Sequence, residues 1–450
     1  MATEERLPSS TALAYALPYA GFTWFQMLFT QYIFKYSVDV LLIAPAVIGQ
    51  ILFITRMWDA VSDPMVGYLS DRTRSRWGRR RPWVVACAIP VSLTTFLIWN
   101  PPQSLGEREL LIWMFVAVLL WETAMTTFSL PYMGLGSEVT LDHDDRTRVS
   151  GYRYLAGGLG NLSVIGCVYL LTHSDSPRDV TVWMIPVGCV LSVALTWIGM
   201  WFVKERPDHI KRGATKFWRS LSGVMHSPHL LLFLVIYFFD VAGIATLGLL
   251  GSFLAHYVLG DATLFWQLLL AYQLASYAST PFVVWLSRHL GKRQVWILAL
   301  FMQGAGFAAT LLAGPGDGLL AIACIIIVGL GSSASFVIGM SMLGDLTDYD
   351  EYMRGERREA THYAAINISR KVSFASLSWF VGIIMTRTGY EANAVQNEAA
   401  TEGIRWLFAG MPAVAFGIAI GALLLFRLNK EEHARIRAVL EERHREEQRG

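Results

Sequence analysis

The stretch 54–67 reads ITRMWDAVSDPMVG and puts Arg56, Asp59 and Asp63 inside an otherwise apolar run. Asp59 and Asp63 are four residues apart, so on a helix they share a face about one turn from each other. An ionisable side chain at mid-membrane costs at least ~2.5–3.5 kcal/mol and therefore needs a partner or a task. Two carboxylates this close repel, and one keeps a proton unless a cation neutralises both. Ser62 adds a hydroxyl oxygen, and Pro64, lacking an N–H, frees a backbone carbonyl. Clustered hard oxygens of this kind suit Na⁺, Li⁺ or a proton. The alternative is an Arg56–Asp59 pair that only braces a helix bundle, with Asp63 near the cytoplasmic interface.

Further ionisable residues sit in apolar runs: Glu122, Arg153, Asp240, Arg370 and Lys371. Arg153 and Lys371 could hold an anionic or hydroxylated solute, whereas Arg370 could snorkel or pair with a loop acid. Glu122 and Asp240 fit pairing with neighbouring helices. Trp24, Trp58, Trp121, Tyr132 and Trp379 share runs with these polar positions and could stack on an apolar ring face, although packing explains each of them. The run GGLGN (157–161) follows no strand, so it reads as close helix contact and not as a nucleotide loop. Cys87, Cys167, Cys189 and Cys324 all lie in apolar runs, without metal-ligand spacing. No nucleophile–His arrangement or phosphate loop stands out, so the sequence points away from an enzyme and from any cofactor beyond a coupling ion.

These residues must be held by membrane helices. Of the 450 residues 54% are hydrophobic and 16% charged, with a mean hydropathy of +0.41. That charge is well below the ~25% usual for soluble proteins. A net charge of +2 gives no reason to expect a nucleic-acid partner. Runs long enough for a bilayer core, about 20 residues, begin near Ala12, Ala46, Trp83, Leu110, Gly151 and Val180. A second set begins near Leu230, Ala262, Val295, Leu319, Ala360 and Trp406. The expected fold is all-α, with twelve transmembrane helices in two six-helix bundles at 1–203 and 230–428. A central cytoplasmic loop at 204–229 and a tail at 429–450, read as a solvated helix, complete the chain. The first ten residues have no basic segment of signal-peptide type. Basic residues cluster in DRTRSRWGRRRP (71–82), in the central stretch and at Arg288, Lys292 and Arg293, whereas loops of opposite parity are poor in them. Both termini are therefore expected in the cytoplasm. The halves also echo each other: DPMVGYLSD (63–71) against TPFVVWLSR (280–288), and SEVTLD (137–142) against GDLTDY (344–349). This register sets Ser276 and Thr280 opposite Asp59 and Asp63, so the acids are missing where a scaffold alone would need them equally. Duplicated bundles that rock about a central site are the layout of alternating access.

The run RMWDAVSDPMVGYLSDRTRSRWGRRRPW (56–83) resembles the signature of the glycoside–pentoside–hexuronide:cation symporters of the major facilitator superfamily. GDLTDYDEYMRGERREATHYAAINISRK (344–371) is similar to that family's second landmark. By this resemblance the chain is a secondary symporter of the bacterial inner membrane. It would couple Na⁺ or H⁺ to a small solute and work as a monomer in the bilayer. The resemblance implies a cation site at Asp59, Ser62, Asp63 and Thr126, with the two acids on any metal ion. It implies a solute site at Thr23, Trp24, Ser129, Arg153, Asn367 and Lys371. The family's galactoside transporter grips its sugar with two further carboxylates and a tryptophan, at positions that match Thr23, Ser129 and Met133 here. A pocket that lacks two acids and keeps its basic residues implies a glycoside-like solute with an anionic group, such as a hexuronide. The alternative, from a distant branch of the fold resembling lysophospholipid symporters, is an amphipathic lysolipid-like substrate with its charged head at Lys371.

Overall fold

The computed structural model describes residues 7–136, 143–203, 205, 227–354, 359–426, 435–440, 442 and 445. Among these residues every regular element is a helix. In chain order they are α1 (Ser9–Lys35), α2 (Pro45–Arg72), α3 (Arg81–Trp99), α4 (Glu107–Gly136), α5 (His143–Thr172) and α6 (Pro177–Phe202). There follow α7 (Pro228–Phe253), α8 (Leu264–Leu290), α9 (Lys292–Ala309), α10 (Gly318–Arg354) and α11 (Glu359–Arg387). The last helix, α12, runs through Glu398–Arg405, a π turn at Trp406–Gly410, and Met411–Leu425. Among the described residues nine helices are long and apolar enough to cross a membrane. The long helices α1, α2 and α8 fall outside that set, because polar and aromatic residues lower their mean hydropathy. The chain is a multi-span, all-α membrane protein.

Two compact units divide the chain, Met1–Ala214 and Thr215–Gly450. In the first, α1 packs on α5 and α6, α3 packs on α4 and α6, and α2 packs on α4. In the second, α7 packs on α11 and α12, α9 packs on α10 and α12, and α8 packs on α10. The pairings repeat in the same order, and the first helix of each unit ends in a π turn, at Tyr36–Val40 and Leu254–Val258. The echo of DPMVGYLSD and TPFVVWLSR thus lies on matching helices, α2 and α8, of two similarly built units. The segment SEVTLD lies outside the described residues, as do most of the central stretch 204–229 and most of the tail.

Local chemistry accounts for the helix ends. Proline opens α2, α3, α6 and α7, where its missing N–H costs nothing and its fixed φ suits the first turn. The N-terminus of α3 is held by Glu205, whose carboxylate accepts the backbone N–H groups of Arg79, Arg80 and Arg81. A negative charge there also meets the positive end of the helix dipole. Gly78 precedes this turn with φ +107°, and a Cβ on it would lie 2.5 Å from the Glu205 side chain. Apolar periodicity places the starts of α5 and α12 late, at Gly151 and Trp406, whereas the helices begin at His143 and Glu398. Their first turns are polar, so hydropathy is blind to them.

Candidate functional site

Helix α2 carries Arg56, Asp59 and Asp63 along one stripe, and α4 carries Glu122 and Thr126 one turn apart. The packing of α2 on α4 brings the two stripes together. Arg56 Nη1 lies 3.0 Å from Glu122 Oε2 and 4.0 Å from Asp59 Oδ2, so the closer of these two carboxylates belongs to the neighbouring helix. The Thr126 hydroxyl donates to Asp59 Oδ1 and also lies 3.2 Å from Asp63 Oδ1. One hydroxyl oxygen thus stands between two like charges. Asp59 is 3% exposed and Thr126 4%, while Asp63 is half-buried.

Ser62 is buried too, but its hydroxyl turns back to donate to the Asp59 backbone carbonyl at 3.2 Å. Of the expected cation ligands, Asp59, Asp63 and Thr126 converge through their side chains, and Ser62 keeps to its own helix. Helix α2 runs unbroken through Pro64, which has no N–H for the carbonyl of Ala60. Behind the cluster, Arg56 lies 5.6 Å from the Phe29 ring centroid, Phe29 stacks on Trp121 at 4.1 Å, and Trp121 Nε1 donates to Thr95. Trp58, 41% exposed, is tied to α4 by a 3.0 Å bond to the Thr123 hydroxyl.

The expected solute residues fall in several places. Arg153 on α5 is half-buried, with its guanidinium 5.4 Å from the Tyr19 ring centroid and Nη1 3.4 Å from the Met133 sulfur. Among the described residues it has no carboxylate within ion-pair distance. Ser129 is half-buried on the turn of α4 after Thr126. Asn367 and Lys371 lie one turn apart on α11 of the second unit, the first exposed and the second half-buried. Thr23 and Trp24, both on α1, are buried. Thr23, 8% exposed, packs on Gly157 and Gly160 of α5. Trp24, 6% exposed, donates to Cys167 Sγ and lays its ring where a Cβ on Gly188 would be. A glycine on α6 makes the socket, and the indole fills it. Gly160 also brings α5 so near α1 that a Cβ would stand 2.4 Å from the Ala20 carbonyl oxygen, which is the close contact read from GGLGN.

An aromatic ladder between α1 and α4 was not foreseen. Tyr15 and Tyr132 stack at 4.8 Å with ring planes 6° apart, and each hydroxyl donates to the other's backbone carbonyl. Tyr19, Phe22 and Phe128 continue the stack. Its sequence signal is faint: Tyr15, Tyr19 and Phe22 at helical spacing on α1, and Phe128 and Tyr132 on α4.

Residues 14–430 match the profile of a family described as MFS/sugar transport protein. The chain is 26% identical to the uncharacterized symporter YjmB of Bacillus subtilis, over 96% of this chain and 95% of that one. It is also 26% identical to the isoprimeverose transporter of Lactiplantibacillus pentosus, over 98% and 93%. The crystal structure of the nucleoside transporter NupG superposes with a TM-score of 0.68 at 13% identity, covering 94% of this chain and all of that one. At that identity the likeness concerns the fold alone, a fold of the major facilitator type.

Proposed function

The chain belongs to the MFS/sugar transport protein family, and on that premise we propose that it is a symporter coupling Na⁺ or a proton to a glycoside-like, anionic solute. It is a transporter and not an enzyme, like the symporter and the transporter that it matches over nearly their whole length. The observation that carries the coupling is the Thr126 hydroxyl between Asp59 and Asp63. A permanent brace pairs opposite charges, as Arg56 and Glu122 do. Two carboxylates around one oxygen are a poor brace and a good cage for a small cation.

The second unit supports this reading. At the position that the repeat sets opposite Asp59, Ser276 accepts a 2.9 Å hydrogen bond from Ser332, and Ser279 pairs with Ser333 at 2.8 Å. Hydroxyls fill the equivalent helix contact, so the scaffold packs without acids. The acids of the first unit are then there for an ion.

Arg153 supports an anionic solute, because a guanidinium held by a ring and a thioether can accept a carboxylate. Ser129, Asn367 and Lys371 complete the solute site in this reading, and Thr23 and Trp24 act through packing. The sugar-transport family and the isoprimeverose relative favour the glycoside. Twelve spans form two six-helix bundles, at 1–203 and 230–428, in the layout of alternating access. The loop 204–229, the tail 429–450 and both termini face the cytoplasm of a bacterial inner membrane, and the monomer is the working unit.

Uptake by proteoliposomes across a panel of neutral glycosides, glucuronides and lysolipids tests the reading, with Na⁺ and pH gradients imposed separately. Glucuronide uptake should need one of the gradients, and Asp59→Asn and Asp63→Asn should abolish accumulation. Full gradient-driven uptake by both variants refutes the coupling site, and inhibition by lysolipid alone refutes the glycoside.

A further inference from the structure

The second unit holds an acid that the transport reading does not use. Asp240 on α7 is 1% exposed, and the Ser335 hydroxyl of α10 donates to its Oδ1 at 2.9 Å. Ser335 in turn receives the Gln303 side-chain amide of α9 at 3.4 Å, so three helices meet in one polar chain. Asp240 Oδ2 and Gln303 Oε1, both fully enclosed, have no hydrogen-bond partner among the described residues. Trp296 Nε1, equally enclosed, also has no hydrogen-bond partner among the described residues.

The titratable groups beside this carboxyl are two tyrosines. Tyr237 lies on α7 itself and Tyr272 comes from α8, and Arg370 of α11 faces Tyr237. Among the described residues no Lys, Arg or His pairs with Asp240. A carboxylate shut away from water with no cation beside it is far costlier than the neutral acid. A metal ion is a poor remedy, because the Gln303 amide and the Ser335 hydroxyl already donate within the cluster and would oppose it. A proton suits the donor set: it neutralises the carboxyl and turns Oδ2 from an orphan acceptor into a donor.

We propose that Asp240, with Ser335 and Gln303, forms an exchangeable-proton site in the second unit, distinct from the α2–α4 cation cluster. Asp240 takes one proton from the aqueous phase and gives it back, with nothing else consumed. Hydroxyls suited to passing it on continue along α8 and α10, where Ser332 is bonded to the half-buried Ser276. The site does not depend on which ion the first unit binds. Its test needs no solute.

Infrared difference spectra of the full chain in lipid bilayers, taken as the buffer is moved from neutral to alkaline, read the site directly. A protonated-carboxyl band, sensitive to H₂O/D₂O exchange, should be present at neutral pH and vanish in alkali. It should be missing from Asp240→Asn, retained in Asp59→Asn and Asp63→Asn, and unmoved by Na⁺ at constant pH. Should Asp240→Asn fail to fold, Asp240→Glu keeps the carboxyl and should displace the band. Identical wild-type and Asp240→Asn spectra, or a band that Asp240→Glu leaves in place, overturn the proposal. So does a band that persists unchanged in alkali, which marks a locked structural acid. A band that Na⁺ removes also overturns it, in favour of a metal site.

Discussion

Replacing Thr126 by valine keeps the shape of the side chain and removes the oxygen between Asp59 and Asp63. Because that oxygen lies within 3.2 Å of both Oδ1 atoms, the two carboxylates stand no more than about 6 Å apart. At an effective dielectric of ~20, charges at that distance repel by about 3 kcal/mol. A hydroxyl donated to a charged acceptor offsets ~1.5–3 kcal/mol, so its loss leaves most of the repulsion standing. The direction of the effect then identifies the ion. Sodium uses the hydroxyl as a ligand, and losing it should raise the half-saturating Na⁺ concentration by about tenfold or more, at ~1.4 kcal/mol per decade. A proton does the reverse: removing a donor to the carboxylate favours the neutral acid, and half-maximal uptake should be reached at about tenfold lower proton concentration. Thr126→Ser restores the oxygen and should return either value toward wild type. The assay is initial uptake in proteoliposomes against graded Na⁺ or graded pH. If neither dependence moves in Thr126→Val, Thr126 does not belong to the cation site and the cage argument fails.

Other expectations follow from the same contacts. Arg56→Met leaves Glu122 buried without its guanidinium, which should cost about 3–5 kcal/mol; Arg56→Met combined with Glu122→Leu should recover much of that loss in thermal unfolding. Gly160→Ala puts a Cβ 2.4 Å from the Ala20 carbonyl and should lower stability by ~1–3 kcal/mol. On the same helix Gly166→Ala meets nothing within 4 Å and should be neutral or stabilising, so equal melting temperatures for the two variants would contradict the close α1–α5 contact. Arg153→Leu should raise KM for a glucuronide by about tenfold or more, ~1.4 kcal/mol, while a neutral glycoside is unaffected. Equal losses for the two solutes would remove Arg153 from anion recognition.

Much of the scaffold can be read from hydropathy, because a bilayer demands helices with long apolar runs. The weak places are physical: α1, α2 and α8 carry the polar residues that face partners, and α5 and α12 open with turns that hydropathy misses. The acid pair is legible because Asp59 and Asp63 are four apart on one helix, a local fact. What they touch is not local. Glu122 meets Arg56 across 66 residues, and Thr126, an ordinary helical threonine, gains its meaning only from packing of α4 on α2. Trp24 depends on distant partners in the same way. Beside polar neighbours it looks like a stacking platform, yet Gly188, far off in the chain, makes it a core residue. The serines of α10 seem bland in sequence until two of them meet serines of α8 and a third meets Asp240.

The clasp of Tyr15 and Tyr132 joins α1 to α4 by side chains, so rings set the spacing there and backbone contact does not. Two rungs of the ladder, Phe22 and Phe128, back onto a small cavity beside Phe25 and Val91. Exchanging one ring for a smaller or larger one would therefore alter the packing of α1 on α4 beside Tyr19 and Arg153. Single substitutions in the ladder would thus change the neighbourhood of Arg153 without touching Asp59 or Asp63.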